Sequence, residues 1–123
     1  MVLTNRRRFL FLSFSILVFL TALNLVGITF SLYWRIWWFD IPAHALGGIS
    51  VALGAAWLST VRGRAPTFLF CIGATILVGV AWEIFEATFH LTEFPQDTLD
   101  TIKDLCMDTT GGVLAFLFVR MFR

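Results

Sequence analysis

The sequence predicts an all-α integral membrane protein, a bundle of four transmembrane helices with both termini in the cytoplasm. Three observations lead there. Of 123 residues, 59% are hydrophobic and 14% charged, whereas a soluble domain averages about 45–50% apolar and about 25% charged. Charge this scarce does not cover a water-facing surface. Apolar runs recur along the chain, most of them near the roughly 20 residues that a bilayer-crossing helix needs. Basic residues gather in alternate connecting segments, the bias that sets membrane orientation. The same composition excludes disorder, and a formal net charge of +1 argues against the basic face of a nucleic-acid binder. The length suits a single transmembrane domain, 1–123, with no linker and no internal repeat.

The first span is expected over residues 9–33. No charged side chain occurs between Phe9 and Tyr33, where only Ser, Thr and Asn bring polar side chains. The run exceeds the roughly 7–15 residues of a signal-peptide core and no small-residue cleavage site follows it, so it is read as a retained helix despite Arg6, Arg7 and Arg8. The second and third spans are expected at 41–61 and 67–89. Between them Arg62-Gly63-Arg64-Ala65-Pro66 reads as a tight turn whose proline can open the next helix. The polar stretch from His90 to Lys103, with Pro95, reads as the one substantial loop. The fourth span is expected at 105–122, shorter, with an amphipathic turn or two upstream.

With the N-terminus in the cytoplasm, the inner side holds Arg6, Arg7, Arg8, Arg62, Arg64, Arg120 and Arg123, and the outer side only Arg35 and Lys103. This bias places the chain in the cytoplasmic (inner) membrane with both ends inside. Trp34, Trp37 and Trp38, with Trp82, then form an aromatic belt at the outer interface. Cys71 and Cys106 fall near opposite ends of their spans, about 20 Å apart at 1.5 Å per residue, too far to pair.

The eight acidic residues are Asp40, Glu83, Glu86, Glu93, Asp97, Asp100, Asp104 and Asp108, and all map to outer loops or outer helix ends. Residues three or four apart share a helix face. Asp40, His44 and Gly47/Gly48 therefore form one line. Gly79, Glu83, Glu86 and His90 form a second, and Asp97, Asp100, Asp104, Asp108 and Gly111/Gly112 a third. Each line runs from ionisable residues toward glycine, which lets backbones approach closely. The simplest geometry turns all three stripes to one bundle interior. For Asp97, Glu93 and His90 a solvated or interfacial role is the simpler expectation.

A charge near the bilayer core costs several kcal/mol unless partnered or hydrated. So many carboxylates, with only Arg35 and Lys103 as local bases, require either bound cations or protons. Carboxylates with imidazole are ligands for a divalent cation, Mg²⁺, Mn²⁺ or Zn²⁺, and His44, Glu83, Glu86, Asp100, Asp104 and Asp108 are the candidate ligands. The zinc-protease HExxH motif, a Gly-rich phosphate loop and a serine nucleophile elbow are absent from the sequence. Where the site is catalytic, Asp40, His44, Glu83, Glu86, Asp104 and Asp108 are the candidate residues, and an activated water is the nucleophile. A metal-dependent membrane hydrolase acting on an envelope lipid or lipid-linked substrate is one reading. A proton- or ion-coupled transport component, which at four helices requires an oligomer, is another, and a structural membrane subunit is a third.

The order DIPAH…GG, WEIFE and DTLDTIKDLCMDTTGG resembles the YjdF-like family of small bacterial and archaeal inner-membrane proteins of uncharacterised function. It is similar, more distantly, to VanZ-like membrane proteins, some of them linked to glycopeptide resistance. The resemblance covers Phe39 to Gly112. It implies site roles for Asp40 and His44, for the acidic pair Glu83 and Glu86, and for Asp100, Asp104 and Asp108. The chain departs from the pattern in two ways. It has four expected spans where YjdF-like proteins usually have more, and it lacks the Arg that VanZ-like proteins tend to carry before the last Asp series. The resemblance implies a shared site without an established reaction.

Overall fold

The computed structural model describes residues 2–89 and 98–122, with side chains from Arg6 onward. All the regular structure among them is helical: α1 Val2–Thr29, α2 Leu32–Arg35, α3 Asp40–Val61, α4 Phe68–Thr88 and α5 Thr98–Met121. Among the described residues three helices are long and apolar enough to cross a membrane: Arg6–Thr29 within α1, then α3, then α4. The expected fourth span is different. At 24 residues α5 is about 36 Å long, but Asp100, Lys103, Asp104 and Asp108 fill its first half. Length and composition therefore support three spans rather than four, with α5 a polar–apolar hybrid packed beside them.

The first span also stops earlier than its composition suggests. α1 ends at Thr29, and Ser31 sits in the left-handed region with φ 55°, a conformation that breaks a right-handed helix. The chain then turns back on itself through α2. Gly27 makes room for this. A Cβ there would lie 2.6 Å from the Tyr33 ring and 2.7 Å from the Phe39 ring, so both rings rest on bare α1 backbone. The two rings meet edge to face at 5.0 Å, the arrangement aromatic quadrupoles favour. At the other turn Thr67, not Pro66, sets the start of α4. Its hydroxyl accepts from the Phe70 amide at 3.3 Å, satisfying one of the free N–H groups of the first turn.

α3 is the hub of the bundle. It packs most extensively on α5, then on α1, and α4 lies against both α3 and α5. Its best apolar window is 44% buried, against 6% for α1, so α1 presents most of its surface outward and α3 little. The core is built of small residues: Ala52, Ala55, Ala56, Cys71 and Ala115 surround Phe9, Leu53 and Val119. Small side chains let helices approach where no hydrophobic force separates protein from lipid. Cys71 is buried and Cys106 exposed, and both are free thiols.

Ser13 and Ser50 join α1 to α3 reciprocally. Ser13 Oγ donates to the Ser50 carbonyl at 2.8 Å, and Ser50 Oγ to the Ser13 carbonyl at 3.0 Å. Interhelical hydrogen bonds in membranes average about 0.6 kcal/mol. Ser13→Ala should accordingly lower stability by about that amount, read from thermal unfolding in detergent, and leave the rest of the bundle in place.

The helix order puts the start of α3, the end of α4 and the start of α5 at one end of the bundle. The acids gather there, while Arg62 and Arg64 follow α3 at the opposite end. Trp34, Trp37, Trp38 and Trp82 are all exposed, and the first three belong to the connection at the acidic end. Arg123, His90, Glu93, Pro95 and Asp97 lie outside the described residues.

Candidate metal centre

The centre begins with two facing helix stripes. On α3, Asp40 opens the first turn, where a negative charge complements the helix dipole, and His44 follows one turn inward. On α5, Asp104 and Asp108 are likewise one turn apart. The two helices bring His44, Asp104 and Asp108 into the interior at 8%, 2% and 6% exposure. Buried charged groups persist only when paired or bound to a cation.

His44 organises the group. Its Nδ1 lies 3.3 Å from Asp108 Oδ1. Its Nε2 faces the other way, 3.5 Å from Asp40 Oδ1 and 3.8 Å from Asp104 Oδ2. Asp40, His44 and Asp104 each offer a ligand atom, all within 4.8 Å of one another. Two donors held by a tetrahedral cation at about 2.1 Å stand about 3.4 Å apart, close to the spacing found here. Asp104 Oδ1 is buried and accepts no hydrogen bond. Lys103 Nζ approaches it at 3.5 Å, but the lysine hydrogen-bonds Asp100 instead. A buried carboxylate oxygen without a donor is costly, and a cation would remove the cost.

Glycine supplies the closeness. A Cβ at Gly48 would lie 1.9 Å from the Asp108 carbonyl oxygen, and one at Gly111 2.0 Å from that of Ala45. Backbone therefore meets backbone directly below His44. On the α4 side a Cβ at Gly79 would lie 2.7 Å from Asp108 Oδ2, so that carboxylate also has a neighbour without a side chain.

Not every expected residue joins. Asp40, His44, Asp104 and Asp108 come together from α3 and α5. Asp100 is engaged by Lys103 at the partly exposed rim. Glu86 accepts from Trp82 Nε1 at 2.9 Å along its own helix. Glu83 has a buried Oε1 without a hydrogen-bond partner, yet neither glutamate belongs to the three-residue ligand group. The acidic line of α4 thus reaches the same end of the bundle without its ligand atoms converging on His44.

Tyr33, expected at the end of the first span, lies instead in α2 beside the acidic end. Its hydroxyl donates to Asn24 Oδ1, tying α2 to α1. Burial first, then the negative charge of Asp40 and Glu86, pushes its phenol up to about 12. It therefore stays a neutral donor at any physiological pH. A signal was available: this is the chain's one tyrosine, nine residues after an asparagine in an otherwise apolar run.

No curated protein and no solved structure matches the chain. A family does. Residues 1–123 match the family described as "Predicted membrane protein (DUF2238)", which is the YjdF-like family, and the match lends no support to the VanZ-like resemblance. Because the match spans the whole chain, this protein belongs to that membrane-protein family.

Proposed function

We propose that this protein is a cation-binding membrane protein whose ligands are Asp40, His44 Nε2 and Asp104, with Asp108 holding His44 in place. The observation that carries this is the two-sided engagement of His44. Metal-ligating histidines usually give their second ring N–H to a carboxylate, which fixes the tautomer and turns the free nitrogen toward the metal. Asp108 stands where that carboxylate belongs, and Nε2 faces two further carboxylates. One imidazole and two carboxylates suit Mn²⁺ or Zn²⁺ better than Mg²⁺.

In the same reading α5 completes a fourth crossing, its charged half lying against the centre rather than lipid. The excess of arginine at the other end puts both termini in the cytoplasm, so the centre opens outward from the inner membrane. A bound cation there would polarise a water or a phosphoryl oxygen, chemistry suited to a lipid headgroup or lipid-linked substrate arriving from the outer leaflet.

Metal analysis of detergent-purified protein tests the proposal. Wild type is expected to carry divalent metal near one per chain, and Asp104→Asn and His44→Ala to lose it. Asp108→Asn should weaken metal affinity by about 10–100-fold, the usual cost of removing an orienting partner. Metal-free wild type whose stability ignores chelators would overturn the reading.

One observation favours a second reading. His44 lies within ion-pair range of three carboxylates, so an imidazolium can replace the metal as the neutralising charge. The centre is then a structural ion cluster, and the same experiment returns no metal.

A further inference from the structure

Between α4 and α5 lies a groove of about 440 Å³, lined by Val80, Glu83, Ile84, Ala87, Thr88, Thr101 and Leu105. One side of it is apolar, and it opens between two helices of the acidic end. We propose that this groove binds a membrane lipid with a primary ammonium headgroup, the ammonium held at Glu83 and an acyl chain along Val80, Ile84 and Leu105. That the groove also leads a substrate to the metal centre rests on the reading above; the lipid site itself does not.

The occupant follows from what the groove lacks. Glu83 lines the groove and its Oε1 has no hydrogen-bond donor within the protein, so the wall carries a carboxylate that its neighbours leave unsatisfied. Acidic groups outnumber basic ones at this end of the described bundle. Asp40, Glu83, Glu86, Asp100, Asp104 and Asp108 share this end, and Lys103 is already engaged by Asp100. An anionic headgroup would meet repulsion. A quaternary ammonium brings positive charge but no N–H, whereas a primary ammonium brings three donors, enough for Glu83 and the threonine hydroxyls beside it. Apolar wall and acidic anchor together fit an amphiphile rather than a soluble amine.

The groove also adjoins the centre. A Cβ placed on Gly79 would lie 3.1 Å from Leu105 Cδ2 and 2.7 Å from Asp108 Oδ2. Leu105, which lines the groove, and Asp108, the carboxylate that orients His44, therefore both approach α4 at Gly79. Glu83 accordingly serves the lipid rather than the metal.

Thermal unfolding of the full chain in detergent micelles, with dioleoyl phosphatidylethanolamine, phosphatidylcholine or phosphatidylglycerol added in turn, tests the proposal. Wild type should be stabilised most by the ethanolamine lipid. Glu83→Gln should lose that preference while retaining the metal content of wild type. Leu105→Phe, which narrows the groove and keeps the charge, should weaken stabilisation by the ethanolamine lipid. Equal shifts from all three lipids, a preference for the glycerol lipid, or a preference that survives Glu83→Gln would each overturn it. Repeating the series with chelator separates the two proposals: a preference that persists in wild type without metal supports the lipid site even where the metal reading fails.

Discussion

Gly48→Ala and Gly111→Ala are each expected to disrupt the bundle, with a loss on the order of 3 kcal/mol or more. The new methyl at position 48 would sit 1.9 Å from the Asp108 carbonyl oxygen, 2.7 Å from its carbon and 2.9 Å from its Cα. At position 111 it would sit 2.0 Å from the Ala45 carbonyl oxygen and 3.1 Å from the Ile49 amide nitrogen. All these atoms are backbone. No rotamer change relieves the clash, so α3 and α5 must move apart by more than an ångström. That separation also pulls Asp104 and Asp108 away from His44, and the centre should fail along with stability. Gly73→Ala is the control. Nothing lies within 4 Å of its added carbon, and alanine is the better helix former, so this variant should unfold no earlier than wild type. Thermal unfolding of the three purified variants decides the matter, and unchanged melting of Gly48→Ala would refute direct backbone contact between α3 and α5.

His44→Ala is expected to cost about 3–5 kcal/mol, the usual penalty for removing one partner from a buried charge cluster. The imidazole lies among Asp40, Asp104 and Asp108. Without it three carboxylates face one another, and Lys103, which approaches Asp104, is already engaged by Asp100. A double-mutant cycle with Asp108→Ala isolates the pair. If the contact is energetic, the double variant loses less than the sum of the singles, by about 0.5–3 kcal/mol. Additivity would mean that the 3.3 Å contact carries no coupling.

How much of this was legible beforehand depended on distance along the chain. The stripe Asp40–His44 and the stripe Asp104–Asp108 follow from helical spacing alone, and the glycines ending each stripe pointed to a close helix contact. Which backbone atoms meet at that contact is a tertiary fact, set by the relative rotation of α3 and α5. Rotation also explains Glu83 and Glu86. Spacing placed them on the correct end of the correct helix, but the facing direction of α4 sends Glu86 to Trp82 and leaves Glu83 in the α4–α5 groove. The break after Thr29 was illegible for another reason. Ser31 takes its left-handed conformation because Tyr33 and Phe39 pack back onto Gly27, a long-range cause with no local proline to announce it. α5 was expected as a span over 105–122, but its acids lower the hydropathy of the very helix whose acids are most buried, so composition supports three spans and not clearly four.

The glycine contact beneath His44 has one more consequence. Below it the interior narrows to Ala52, Ala56, Cys71, Thr75, Ala115 and Val119, each at most 4% exposed, with no carboxylate and no basic side chain among them. The polar cluster thus ends on a floor of peptide backbone, and the layer beyond it is small side chains and Thr75. Among the described residues no carboxylate, imidazole or amine carries the line of ionisable groups from His44 through that layer. Under the proposed cation-binding reading, exchange would therefore be with the acidic end alone, and occupancy of the centre would report the metal content on that side without dissipating a gradient across the membrane.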